Sequence, residues 1–210
     1  MKQTGTFVCL VLFFVLTAGA AMASDSIQGR IGVTGRIGMH IPSDSDAFEP
    51  FTPGYDLDTD VGFIAGGGLI YGLTKNIALE LNITHTEIEA EIEGYHEGDF
   101  DTTNISLGVQ YRFVDIPVRN LVPYAGGGLD ILLNGFSSSF GDSLDVDTVV
   151  AGHVCGGVDF FLMKQLALNA EIKGVLAPDA DITYRDTEVG EYDPTSVSLT
   201  IGVRYFFNLF

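Results

Sequence analysis

The sequence predicts a single all-β domain, an eight-stranded antiparallel β-barrel that crosses a membrane. Apolar and polar residues alternate with a period of two along eight segments, which is typical of strands with two different faces. Short and long connections alternate between these segments. The composition is 46% hydrophobic, yet no apolar run beyond the N-terminal segment is long enough for a transmembrane helix. The apolar residues must therefore be spread over many strands.

The N-terminal residues 1–23 have the pattern of a cleaved signal peptide. Lys2 precedes an apolar run that begins at Phe7, and Ala21-Met22-Ala23 is a small-x-small cleavage site. The run is shorter than the about 20 residues that a membrane-spanning helix needs, which favours cleavage over a retained anchor. We therefore expect residues 24–210 to form the barrel.

The first four predicted strands each place apolar residues on one parity and polar residues on the other. Such strands bury one face in an apolar environment and turn the other face away from it. The apolar parity holds, in chain order, Ile27, Ile31, Val33, Ile37, Met39 and Ile41; then Phe63, Leu69, Tyr71 and Leu73; then Leu79, Leu81 and Ile83; and then Ile105, Leu107, Val109, Tyr111 and Phe113.

The second half of the chain repeats this alternation four more times. Its aromatic members, like those of the first half, gather near the short connections, where an aromatic girdle of a membrane barrel belongs. The apolar parity holds Leu129 and Ile131; then Val154, Val158 and Phe160; then Leu168, Ala170 and Ile172; and then Val197, Leu199, Ile201, Val203, Tyr205 and Phe207.

The connections between the segments fall into two classes. Three are short and four are long, and the long ones are rich in Asp, Gly, Ser and Pro. Three short and four long connections join eight strands only if both termini lie at the short-turn end. Outer-membrane barrels have this layout, so we expect periplasmic termini, short periplasmic turns and long acidic outer loops. The short connections are 74–76, 115–120 and 163–165, and the long ones are 42–60, about 93–101, 134–147 and 178–193.

The polar parity carries charges of both signs, which decides what each face contacts. A soluble barrel would expose eight apolar stripes to water, far more than a normal apolar patch, so the apolar parity is predicted to face lipid. The interior of an eight-stranded barrel is about filled by side chains, so the inward charges must pair as a salt-bridged plug. The predicted lumen plug consists of Arg30, Arg36, Glu80, Arg112, Asp130, Asp159, Glu171, Lys173 and Arg204.

The acidic composition excludes several function classes. A net charge of −18 argues against nucleic acid as a partner, because phosphate binding needs a basic face. Asp56-x-Asp58-x-Asp60 resembles a calcium loop but lacks the glycine and the distal glutamate, so we expect solvated charge and no metal site. The four histidines form no motif with a nucleophile, and we expect no catalytic residue, no cofactor and no enzymatic activity.

Several motifs resemble known outer-membrane barrels. The end of the last segment, GVRYFF, resembles the aromatic terminal strand that the barrel-assembly machinery of Gram-negative bacteria recognises, which makes Tyr205, Phe207 and Phe210 the expected assembly signal. Asp193-Pro194 and three longer stretches resemble the OmpW family, and OmpA-like eight-stranded barrels share part of these patterns. The longer stretches are YGLTKNIALEL at 71–81, LVPYAGGGLDI at 121–131 and GGVDFFLMKQLALNAEI at 156–172.

The resemblance implies a location in the cell outer membrane, with outer-membrane lipid and lipopolysaccharide as neighbours, and a porin-like interior passage for small hydrophobic molecules. Extending the alternation beyond the plug predicts an apolar vestibule that would accept such ligands, although the same side chains could pack as a dry core. The remaining alternative is a structural or surface-interaction barrel without transport. The predicted vestibule consists of Ile64, Ile88, Ile92, Leu132, Val149 and Val175.

Overall fold

The structure is a computed structural model that describes residues 26–43, 58–59, 61–92, 95–138, 143–184 and 187–208. The predicted signal peptide and Phe210 lie outside the described residues. None of the described residues forms a helix that is long and apolar enough to cross a membrane. The described chain forms β1 (Arg30–Pro42), β2 (Asp58–Thr59), β3 (Gly62–Gly72), β4 (Ile77–Ile92), β5 (Tyr95–Arg112), β6 (Leu121–Ser138), β7 (Ser143–Val146), β8 (Val149–Met163), β9 (Leu166–Leu176), β10 (Ala180–Tyr184), β11 (Thr187–Tyr192) and β12 (Ser196–Asn208).

Eight of these strands close into a barrel in the order β1, β3, β4, β5, β6, β8, β9 and β12. Every neighbouring pair is antiparallel, and β1 pairs with β12 from Arg30↔Asn208 to Pro42↔Ser196 to complete the ring. Closure pairs the backbone groups that an open edge would leave bare in lipid. The predicted eight-stranded antiparallel barrel is confirmed.

The alternation of the sequence becomes an outer and an inner face. Val33 on β1, Leu129 on β6 and Ile201 on β12 are exposed on the outside, together with the other large apolar residues of their parity. Arg36 and Arg204, on the opposite parity, are buried inside. An apolar exterior around a charged interior is the arrangement expected of a barrel surrounded by lipid.

The strands extend further at the long-loop end than the sequence indicates. The predicted loop 93–101 is mostly strand, because β4 continues to Ile92 and β5 begins at Tyr95. The short strands β2, β7, β10 and β11 likewise lie in segments predicted to be loops. β2 pairs with β4 and β7 pairs with β6, while β10 pairs with β7 and β11. Acidic composition suggested loops there, but backbone pairing between strands does not require apolar side chains.

Ile27 departs from the predicted outward parity. It lies before β1 and is fully buried. Gly29 has a φ of 69°, a left-handed conformation that glycine adopts without steric cost, and its N–H donates to the Gly72 carbonyl oxygen at 2.8 Å. This turn interrupts the alternation, so Ile27 folds beneath the barrel instead of facing lipid.

The short-turn end of the lumen is filled by an apolar cluster that the sequence did not single out. Phe161 and Phe206 stack at its centre, with ring centroids 5.7 Å apart. The residues of this cluster, called the basal core below, are all fully buried: Ile27, Ile70, Ala78, Val122, Phe161, Ala167 and Phe206. The basal core closes the lumen at this end.

Candidate functional site

An ion-pair network occupies the lumen above the basal core. At its centre Arg204 donates from Nη1 to both carboxylate oxygens of Asp159 at 3.0 Å, and from Nη2 to Glu80 Oε1 at 2.7 Å. Arg112 donates from Nη2 to Asp159 Oδ2 at 2.6 Å. Asp159 therefore accepts hydrogen bonds from two arginines. Arg112, Asp159 and Arg204 have no exposed surface.

Arg36 extends the network to the opposite side of the lumen. It donates from Nη2 to Glu80 Oε1 at 2.8 Å and from Nη1 to Glu171 Oε1 at 2.5 Å. With it the network contains three arginines and three carboxylates, so its formal charge is balanced. The ion-pair network is defined below as Arg36, Glu80, Arg112, Asp159, Glu171 and Arg204.

Neutral side chains satisfy the remaining acceptors of the network. The Tyr124 hydroxyl donates to Glu171 Oε2 at 2.7 Å, and Asn169 Nδ2 donates to Asp159 Oδ1 at 2.8 Å and to the Tyr124 hydroxyl at 2.9 Å. Gln110 donates to Glu80. The Arg204 guanidinium carbon also lies 5.1 Å from the centroid of the Tyr124 ring. Buried charges are tolerated only when pairing and hydrogen bonds replace water in this way.

The inward parity of the sequence explains why these groups meet. Each of the six charged residues comes from a different strand of the barrel: β1, β4, β5, β8, β9 and β12. Arginine suits these positions because its planar guanidinium can bind two carboxylates at fixed geometry. The narrow lumen then brings side chains from opposite walls into contact.

A second charged cluster lies beside the network. Asp130 accepts a hydrogen bond from Lys173 Nζ at 2.5 Å and is hydrogen-bonded to His153 Nδ1. Space for the imidazole exists because β5 and β6 carry glycines there: a Cβ at Gly128 would lie 2.9 Å from His153 Cε1, and one at Gly108 would lie 3.0 Å from Nε2. The sequence indicated no partner for His153, whereas the structure gives it a carboxylate partner.

Arg30 is the one predicted plug residue that the structure places elsewhere. It was expected to share the lower lumen with Glu80 and Asp159. Instead its Nη2 donates to the Lys164 carbonyl oxygen at 2.6 Å, and its guanidinium carbon lies 5.3 Å from the centroid of the Phe206 ring. Arg30 is the first residue of β1 and lies at the short-turn end. Its hydrogen bond is therefore to the backbone of the turn between β8 and β9, beside the basal core.

A polar cavity, called the upper chamber below, lies on the long-loop side of the network. Its volume is about 40 Å³. A buried water needs about 10–15 Å³ and a drug-sized ligand about 300–1,000 Å³, so the chamber as packed holds a few waters. Its lining consists of Arg36, His40, Ile64, Asn82, Thr84, Thr86, Thr102, Asn104, Ser106, Leu132, Glu171, Lys173, Val175, Pro194, Ser196, Ser198 and Thr200.

The lining corrects the expectation of an apolar vestibule. Ile64, Leu132 and Val175 do line the chamber, but hydroxyl and amide side chains form most of its wall. Val149 is buried but does not line it, and the side chains of Ile88 and Ile92 lie outside the described part of the structure. The period-two pattern identified the inward apolar residues but gave less weight to the Ser, Thr and Asn residues of the same parity.

Two buried amide oxygens in the upper chamber lack a partner. Asn82 Oδ1 and Asn104 Oδ1 accept no hydrogen bond from any described residue. Buried acceptors in folded proteins are almost always satisfied by protein or water. The chamber therefore suits an occupant that can donate hydrogen bonds.

Metal-ligating side chains do not cluster in the described residues. These residues contain no group of three or more His, Cys, Asp or Glu side chains that could hold a metal ion. No described Ser, Thr or Cys donates to the second ring nitrogen of His153, so its pair with Asp130 lacks a nucleophile. Of the expected assembly signal, Tyr205 and Phe207 are exposed on the outer face with ring centroids 4.9 Å apart, at the short-turn end.

Comparisons with known proteins agree with the barrel. Residues 14–113 match the family model described as an outer membrane protein beta-barrel domain. The sequence matches no curated protein significantly.

Solved structures extend the likeness to the whole barrel. OprG from Pseudomonas aeruginosa has 16% identity and a TM-score of 0.64, and the match covers 87% of this chain and 97% of that one. Neisserial surface protein A has 18% identity and a TM-score of 0.61, covering 86% and 100%. The outer membrane protein AlkL has 18% identity and a TM-score of 0.57, covering 91% and 96%. At these identities the likeness establishes the shared fold.

Proposed function

We propose that this chain, an outer-membrane β-barrel protein, binds small molecules in the upper chamber and that the ion-pair network closes the barrel beneath them. One observation carries the proposal: a lined chamber at the long-loop end rests on a buried, charge-balanced floor. Such a floor retains a ligand in the chamber and denies it a straight aqueous path. A ligand that passes further would have to leave sideways between strands.

The two kinds of wall in the upper chamber indicate the ligand class. Ile64, Leu132 and Val175 offer an apolar surface, and Leu132 and Val175 belong to a packed apolar cluster on β6, β8 and β9. Asn82 and Asn104 offer unpartnered acceptors. A small, mainly hydrophobic molecule with one donor group satisfies both walls, and the cavity must widen to admit it.

The test is calorimetric titration of the purified protein with small alkanols and the matching alkanes. We expect the parent to bind the alkanols more tightly, because only they donate to the amide oxygens. Leu132→Asp should weaken binding at least tenfold, because it places a charge where the ligand loses water. Val118→Asp adds the same charge at an exposed position in a short connection and should leave binding unchanged. Equal weakening by both variants would contradict the assignment.

The second candidate is a structural or surface-interaction barrel without transport. The sealed lumen favours it, because the basal core and the network leave no continuous passage. In that role the acidic long loops and the outer face would contact lipopolysaccharide and outer-membrane lipid, and the lumen charges would only stabilise the fold. Absence of ligand binding by the parent protein would favour this candidate.

A further inference from the structure

An apolar groove of about 550 Å³ crosses the outer face of the barrel. Its walls come from four adjacent strands, β1, β12, β9 and β8, which are paired in that order. The outward residues of the groove form two neighbouring rows in register. The row nearer the short turns consists of Gly35, Val203, Leu168 and Phe160, and the next row consists of Ile37, Ile201, Ala170 and Val158.

The groove exists because two outward positions carry small residues. Gly35 and Ala170 lie diagonally across β12, one in each row, while Leu168, Ile201 and Ile37 beside them are large and exposed. A Cβ at Gly35 would have no heavy atom within 4 Å. The depression is therefore open toward the lipid and could be filled from outside without any change in the barrel.

The position of the groove along the membrane normal matches the part of an acyl chain that is far from the headgroup. Lys164 lies in the turn between β8 and β9, and Leu168 and Ala170 follow it by four and six residues. These separations are about 13 and 20 Å along a strand, or about 10–15 Å along the membrane normal for a strand tilted by 35–45°. The groove thus lies near the middle of an apolar layer of about 30 Å.

The short turn between β8 and β9, at the short-turn end of the groove, supplies what a lipid headgroup needs. Lys164 is exposed and forms no ion pair with a described residue, whereas Lys75, in the turn between β3 and β4, pairs with Asp115 at 2.5 Å. Tyr205 pairs in register with Leu166, the first residue of β9, and its exposed ring lies between this turn and the groove. Tyrosine at this level typically marks the membrane interface.

We propose that this groove and Lys164 form a binding site for one anionic phospholipid. One acyl chain lies over Gly35 and Ala170, and the phosphate lies at the Lys164 ammonium. Bulk lipid would contact any part of the outer face, whereas here a large apolar depression and the Lys164 ammonium follow each other along β9.

The test is lipid retention by the full barrel, purified from vesicles of dioleoylphosphatidylglycerol or dioleoylphosphatidylcholine and weighed by native mass spectrometry. The parent should retain one phosphatidylglycerol. The single variants Gly35→Leu and Ala170→Leu should each abolish retention of phosphatidylglycerol, because each fills the groove. Lys164→Gln should lower the preference for phosphatidylglycerol over phosphatidylcholine about fivefold, the effect of about 1 kcal/mol per interfacial cation.

A matched control separates a site from general contact with lipid. Ala125→Leu enlarges an exposed outward residue of β6, outside the groove, and should leave retention unchanged. Retention by Gly35→Leu at the parent level would overturn the proposal. So would a parent protein that is dimeric and that Gly35→Leu makes monomeric, since a second barrel would then occupy the groove.

Discussion

At the scale of single residues, two buried arginines of the same barrel have different environments. Arg204 binds Asp159 and Glu80 with no exposed surface, whereas Arg30 donates to backbone carbonyl oxygens and stands over an aromatic ring. The alternation predicts that both face inward. It does not predict their partners, because these depend on the stagger between strands that are distant in the sequence.

Replacing these arginines one at a time tests whether the network stabilises the fold. Arg204→Met should lower the free energy of unfolding by about 3–5 kcal/mol, because two carboxylates lose their partner in a buried site. Arg30→Met should cost about 1.5–3 kcal/mol, the range for a hydrogen bond to a charged group. Urea unfolding in lipid vesicles measures both values. An equal loss in the two variants would show that the carboxylate pairs add nothing.

A comparison of Gly29 with Gly35 tests whether a positive φ, and not open space alone, makes glycine necessary at a position. Gly29→Ala should lower the free energy of unfolding by about 1–2 kcal/mol, because its φ of 69° disfavours a side chain although the space around it is open. Gly35→Ala, equally open but without a positive φ, should cost nothing. The same urea titration compares them, and a loss in Gly35→Ala as large as that in Gly29→Ala would contradict this account.

At the scale of strands, sequence reasoning worked best where lipid imposes the pattern. The outward faces of β1 and β12 follow the predicted parity from Ile31 to Ile41 and from Val197 to Phe207. The prediction failed above the membrane, where β4 and β5 continue through acidic sequence, and below it, where Gly29 interrupts the alternation. In both places the chain is no longer surrounded by lipid. The polarity of a residue there does not indicate on which face of the strand it lies.

The last strand carries a prediction about assembly. Deleting residues 205–210 should block folding, because Tyr205 and Phe207 pair with Val33 and Ile31 of β1 and because this aromatic end is the proposed signal for the barrel-assembly machinery. Protease resistance of the protein in isolated outer membranes measures the outcome. Tyr205→Ala with Phe207→Ala keeps the strand length and removes only the signal. If the shortened chain still became resistant, the proposed signal would be wrong.

At the scale of the whole molecule, the protein is a closed eight-stranded barrel with an apolar exterior and a charged, largely filled interior. The sequence predicts this division of surfaces and its eight strands, since both follow from one parity rule. The upper chamber was predicted less well. Its Ser, Thr and Asn residues are common on any solvated strand, and only the closed geometry turns them into the wall of a cavity.

The apolar exterior predicts how the folded protein behaves in solution. The protein without residues 1–23 should fold in detergent micelles and migrate differently on electrophoresis with and without boiling, as a closed sheet resists detergent until it is heated. Without detergent the exposed apolar residues should cause aggregation. Gel mobility and light scattering measure the two behaviours. A monodisperse folded monomer in detergent-free buffer would contradict the lipid-facing assignment.

The pairing of β1 with β12 means that the ring closes only between segments at opposite ends of the described chain. The first barrel strand must wait for the last before its second edge is paired. Folding therefore cannot keep pace with synthesis or export, and its contacts are among the most distant that a chain of this length can make. With the expected signal peptide, the polypeptide should reach the membrane unfolded, with its future lipid-facing side chains in water. We therefore expect its yield to depend on periplasmic chaperones that keep it from aggregating.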